Sequence, residues 1–175
     1  MTSIVILILL LVGGFAQLVL PGFAVLGQAK FPFLLAVVLY FSLTRKINVM
    51  LATAFFAGLL QDALSPVPLG QSIVLFCLLG FGVGRFRQLV LLDSPVTQLF
   101  FGFVAGCAMA VGQYGMLRHA GLVVYPLGRL AWRCVGQGLT GGIATWLVFL
   151  AAGPLDRMLG NVERHPDIGE IEWSV

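Results

Sequence analysis

Asp62 is the residue whose type least suits its surroundings. It closes the run Val49-Met50-Leu51-Ala52-Thr53-Ala54-Phe55-Phe56-Ala57-Gly58-Leu59-Leu60-Gln61, and Ala63-Leu64-Ser65-Pro66-Val67-Pro68-Leu69-Gly70 follows it. A carboxylate among so many apolar residues is costly at membrane depth and marks an interior, cavity or contact position. Two roles are open to it. As a helix-end acid it reaches the interface, solvated or capping backbone N–H groups of the next helix. As a buried acid it partners an arginine on a neighbouring helix or protein. Gln61 and Gln71 add hydrogen-bonding capacity to the same turn, and Pro66 and Pro68 shape it.

Arg129 and Arg133 stand four apart, so they share one helix face, and Gln137 extends it by another turn. Either this stripe faces the bundle and meets Asp62, or its long stems snorkel to lipid phosphates. Other chemistry is thinly supplied. His119 and His165 have no second ligand at metal spacing, and Cys77, Cys107 and Cys134 show no CxxC pattern, so neither a metal site nor a disulfide framework is expected. Gly80-Phe81-Gly82-Val83-Gly84 ends an apolar segment and does not open a helix after a strand, as a phosphate loop would. No acid, base and nucleophile assemble. The expectation is a non-enzyme without a cofactor.

These residues sit in a chain that is 59% hydrophobic and 10% charged over 175 residues, with a mean hydropathy of +1.03. Soluble domains carry about 25% charged residues. The composition therefore implies an integral membrane protein. Its basic residues are scattered at the ends of apolar runs, which excludes a nucleic-acid surface. Ile4–Leu20 lacks a basic leader and reads as a retained helix, not a cleaved signal.

Six spans follow, all helical, in one bundle: about 4–20, 33–43, 49–64, 69–84, 96–117 and 127–152, the last closed by Gly153-Pro154. The second, third and fourth are short for a bilayer, and the third and fourth read as a hairpin whose tip lies below the headgroups. Pro32 and Asp93-Ser94-Pro95 supply helix starts. Residues 1–160 make the transmembrane domain and 161–175 a short polar, acid-leaning tail. Arg45, Lys46, Arg85, Arg87, Arg157 and Arg164 fall on one side, against Lys30, Arg118, Arg129 and Arg133 on the other. That bias sets both termini in the cytoplasm and the Asp62 turn outside. Gly80/Gly84, Gly102/Gly106 and Gly138/Gly142 have the spacing that lets helices approach closely, and Gly58 lies four residues before Asp62.

The run Gly58-Leu59-Leu60-Gln61-Asp62-Ala63-Leu64-Ser65-Pro66-Val67-Pro68-Leu69-Gly70 resembles the signature turn of the bacterial rod shape-determining protein MreD family. Gly80-Phe81-Gly82-Val83-Gly84-Arg85-Phe86-Arg87 is similar to that family's glycine-rich helix end with its basic stop. Phe31-Pro32-Phe33-Leu34-Leu35 through Arg45 resembles its second helix, which often begins Pro-Asp. Phe33 replaces the acid here, so no role carries over to that position. The resemblance implies an inner-membrane, multi-pass component of the machinery that elongates the side wall. Its usual partner is the bitopic protein MreC, linked to MreB filaments, RodA and a class B transpeptidase. It further implies a fold like the six-helix substrate-binding components of energy-coupling-factor transporters. The leading expectation is a scaffold for cell shape and peptidoglycan synthesis that uses Asp62 and its turn for contact. The alternative is a small-molecule transporter subunit with Gln17, Gln98, Gln113 and Gln137 as thin candidates for a pocket.

Overall fold

The structure is a computed structural model that describes residues 2–20, 30–65, 70–86, 94–119, 121 and 127–158. Its regular elements are six helices: α1 (Thr2–Val19), α2 (Phe33–Thr44), α3 (Ile47–Ala63), α4 (Gln71–Arg85), α5 (Pro95–His119) and α6 (Leu127–Met158). The polar tail, Pro66 and Pro68 lie outside the described residues.

Local chemistry explains most helix ends. Pro32 precedes α2 and its carbonyl accepts the first bond of that helix, from Ala36 N–H at 3.0 Å. The Arg45 N–H closes α2 on the Phe41 carbonyl at 2.9 Å before the backbone extends. One boundary departs from the sequence expectation. Gly153-Pro154 does not end α6, which continues through Pro154 to Met158. A proline removes one backbone bond, and a long helix tolerates that loss where other groups re-satisfy the freed carbonyl.

Among the described residues, α5 and α6 (as Pro95–His119 and Gly128–Leu155) combine the length and hydropathy needed to cross a bilayer alone; the other four are shorter apolar helices. At 1.5 Å per residue, the 12 residues of α2 rise only about 18 Å. That helix is nevertheless the centre of the molecule. Every residue from Leu34 to Leu43 is buried, with α1, α3, α4 and α6 packed around it. Phe41 and Phe76 are among the largest side chains fully enclosed, and Tyr40 meets the Phe149 ring edge-on at 5.0 Å between centroids. The outside is apolar too. Phe15, Leu18, Leu78, Phe100 and Leu150 are all more than half exposed. A helix apolar all round belongs in a core or in lipid, so the outer faces are those of a protein that meets hydrocarbon.

Candidate functional site: the carboxylate joint of the hairpin

Asp62 lies in the last turn of α3 and is 3% exposed. Its Oδ2 accepts the Gly70 N–H at 2.6 Å and its Oδ1 accepts the Ser72 N–H at 3.1 Å. Gly70 is the N-cap of α4 and has no side chain to cap with. The acid of one helix thus caps the next, filling the role that a serine or aspartate at the N-cap would play locally. The negative charge also sits against the positive end of the α4 dipole, a favourable effect of up to about 2 kcal/mol when partly buried. Gly70 takes φ +97, a left-handed conformation that side chains rarely adopt, and this turns the chain so that both N–H groups point back at Asp62.

Gly58, one turn before Asp62, sets how closely the two helices approach. A Cβ there would fall 2.5 Å from Ile73 Cα and 2.7 Å from Ile73 N. The apolar seam and the polar cap are therefore one unit: only because Gly58 lets α4 close in can the Asp62 carboxylate reach its N-terminus.

A polar network extends from the joint. Gln17 on α1 donates to Gln61 Oε1 at 2.7 Å, and Gln61 donates to Ser65 Oγ at 3.1 Å. Gln71 donates to the Gln113 carbonyl on α5 at 3.4 Å. Four helices are tied at one end of the bundle. The buried Gln17 Oε1 has no hydrogen-bond partner among the described residues.

The structure brings Asp62, Gln61 and Gln71 together, but not the arginine stripe. Arg129 and Arg133 are exposed on α6, and the Asp62 oxygens accept from Gly70 and Ser72. Of the two roles open to Asp62 in the sequence, its observed bonds are those of the cap. Gln137 is half-buried, and its backbone carbonyl lies against Gly106 of α5.

The glycine pairs divide by partner. Gly84 faces α2 at Ser42, and Gly80 lies against both Met50 of α3 and Val38 of α2, with its carbonyl accepting from Ser42 Oγ at 2.5 Å. Gly102 and Gly106 face α6. A Cβ on Gly102 would lie 2.6 Å from the Gly141 carbonyl oxygen, and one on Gly106 would overlap the Gln137 carbonyl. Gly138 and Gly142 answer from the other side, against Phe103 and Cys107 and against the Leu99 carbonyl. They are the seam of the α5–α6 pair.

Two features escaped the sequence. Gln17 and Gln61 are 44 residues apart with no local pattern to link them. Arg45 reads as an ordinary basic stop, yet it is 5% exposed at the end of α2. A groove of about 380 Å³ between α1, α2 and α6 is lined by apolar groups such as Leu9, Val12, Phe33, Val37 and Leu147. No group of three or more His, Cys, Asp or Glu stands where a metal ion would bind, among the described residues.

An all-helical chain, oily outside and in, with its polar groups gathered at a hairpin joint, defines a helical membrane protein. The chain belongs to the rod shape-determining protein MreD family, whose model matches residues 1–133. That match takes in α1 to α5, the joint and the first turns of α6. Neither a curated protein nor a solved structure matched the chain. Membership assigns the chain to rod shape determination, in a family of structural membrane proteins.

Proposed function

We propose that the protein is a non-catalytic scaffold of the cell-wall elongation complex, holding MreC in the inner membrane and so helping to set where side-wall peptidoglycan is made. The observation that carries this reading is the coincidence of the family match with the clasped hairpin: residues 1–133 contain the whole α3–α4 joint. All six helices cross or enter the bilayer, both termini are cytoplasmic, and the joint faces outward. RodA with its class B transpeptidase, and MreB filaments, are reached through the same assembly. Asp62, Gln61 and Gln71 contribute to partner contact by fixing the shape of the outer tip, and Pro66 and Pro68 belong to the same contact segment of the sequence. On this reading Asp62 acts through the fold of the tip, since its oxygens bind backbone N–H groups.

A transporter subunit like those of energy-coupling-factor systems needs a pocket with convergent polar groups. The groove between α1, α2 and α6 is apolar instead, and it gives the scaffold reading the stronger support.

The test is affinity purification of the full chain from native membranes in mild detergent. MreC is expected to co-purify stoichiometrically, and less of it with Asp62→Ala. A preparation that retains no MreC while its helical content is intact would remove the scaffold reading.

A further inference from the structure

We infer that the groove between α1, α2 and α6 is the seat of one straight acyl chain of a membrane phospholipid, held as a lasting part of the folded protein. Its floor is α2, at Phe33 and Val37, and its walls are α1 from Leu9 to Ala16 and α6 from Leu147 to Ala151. Its volume of about 380 Å³ is that of a ligand pocket, far more than a packing defect. The way α1 is held leaves the groove open. A Cβ on Gly13 would meet Phe33 Cβ at 3.6 Å, and one on Gly14 would lie 2.9 Å from Leu60 Cδ2, so α1 rests closely on α2 and α3. The Gln17–Gln61 bond ties it to α3 as well. α6 follows α2 instead, through Phe149 against Tyr40 and through the Thr140 hydroxyl, which donates to the Lys30 carbonyl at 3.4 Å. With α1 drawn toward α3 and α6 drawn along α2, a gap remains between them.

Three features of the groove choose its occupant. Every lining side chain is apolar, so water and polar headgroups find no side-chain partner there. The groove opens sideways at Val12 and Leu150, which are 61% and 62% exposed, and these rims continue into the exposed apolar faces of α1 and α6. Those faces meet hydrocarbon, so acyl chains are the medium at the mouth. An unfilled groove would forfeit the dispersion contacts of its walls. Finally, α1 and α6 also touch each other, so the groove closes where they meet. A further helix is about 10–12 Å across with its side chains. It would ride on the rims at Val12 and Leu150 and leave the floor empty. A linear chain, one carbon wide, reaches Val37. The stretch from Leu9 to Ala16 rises about 10 Å, which seats a middle portion of such a chain. Ala16 and Ala151, small residues on opposite walls, leave its path clear. Methyl branches along the chain would strike those walls.

The seat goes beyond the scaffold reading, and its test does not involve MreC. The full chain is reconstituted in vesicles of dipalmitoyl- or of diphytanoyl-phosphatidylcholine, which differ in methyl branching and share a headgroup. After extraction and washing in mild detergent, native mass spectrometry counts the phospholipids that stay bound. One dipalmitoyl lipid per chain is expected, and roughly tenfold less of the branched lipid, the scale on which an apolar pocket discriminates a single carbon. Ala16→Phe with Ala151→Phe fills the groove and should cut retention of the dipalmitoyl lipid by a similar factor. Leu18→Phe, exposed and outside the groove, should leave it unchanged. No retained lipid in the unsubstituted protein overturns the proposal. So does equal retention of straight and branched chains, or retention that survives in the filled variant with its helical content intact by circular dichroism. A lipid-free dimer that the filled variant cannot form gives the groove to a second copy and overturns the lipid. The comparison of straight with branched chains needs no substitution, so it decides the matter even where the filled variant fails to fold.

Discussion

The two helical hairpins of this protein are held together by different means. Along α5 and α6 the contact is continuous backbone against backbone, through Gly102, Gly106, Gly138, Gly141 and Gly142. Between α3 and α4 close approach is made at Gly58, and the tip is fastened by one carboxylate on two N–H groups. In hydrocarbon there is no hydrophobic gain from pressing two apolar helices together. Dispersion contact and satisfied polar groups must do it. The long pair uses the first over its length. The short pair, with fewer turns to pack, adds the second at its end. Strength in the first case is distributed, and in the second it is concentrated at Asp62.

The largest effect should come from the continuous seam. Gly106→Val forces its branched side chain onto the Gln137 carbonyl, and overpacking of this kind costs about 3 kcal/mol or more when backbone must move. Unfolding in a denaturing detergent series should show the transition well below that of the native chain. A transition unchanged by this variant would show that α5 and α6 do not meet along Gly106. Next comes the clasp. Asp62→Ala leaves two N–H groups of the α4 N-terminus without their acceptor, and loss of such a helix cap costs about 0.5–2 kcal/mol. Asp62→Asn should fall between, because one carbonyl oxygen replaces two anionic ones. Hydrogen exchange of the Gly70 and Ser72 amides is the direct readout: faster in both variants, fastest in the alanine. Equal exchange in all three would dissolve the contrast between the hairpins. The smallest effect is expected at Gly82, whose added Cβ would meet nothing within 4 Å. Gly82→Ala should leave stability unchanged or raise it by about 0.5 kcal/mol, as for a glycine in an unstrained helix. A marked loss there would mean that α4 has a neighbour on its exposed face.

How much of this was readable from the residues follows from where the information lies. The joint was half-legible. An aspartate before a proline-rich turn, with Gly70 opening the next helix, states the capping chemistry locally, so the cap stood among the two options. What the sequence lacked was the choice, which depends on Gly58 bringing α4 within reach of the carboxylate. The glycine pairs were legible as close contacts, but not by partner, because spacing along one helix says nothing of the helix opposite. Arg129 and Arg133 are exposed where α6 begins, while Gly136, Thr140 and Ala144, further along the same face, are buried, and spacing alone does not say where such a face leaves the bundle. Gly153-Pro154 carries the local signature of a helix stop, and α6 overrides it because losing one bond near the end of a 32-residue helix is minor. The Gln17–Gln61 bond had no signal at all in the order of the chain.

The enclosure of α2 bears on how the molecule is made. A segment of 12 residues, Phe33–Thr44, touches protein on all sides and is too short to settle in a bilayer unaided. Its final place exists only after the ribosome has delivered α6, whose Phe149 closes over Tyr40. Biogenesis therefore cannot proceed by stable insertion of one rod after another in order of synthesis. An early, stubby segment must wait, shielded by the insertion machinery or lying in the interface, until later partners wrap it.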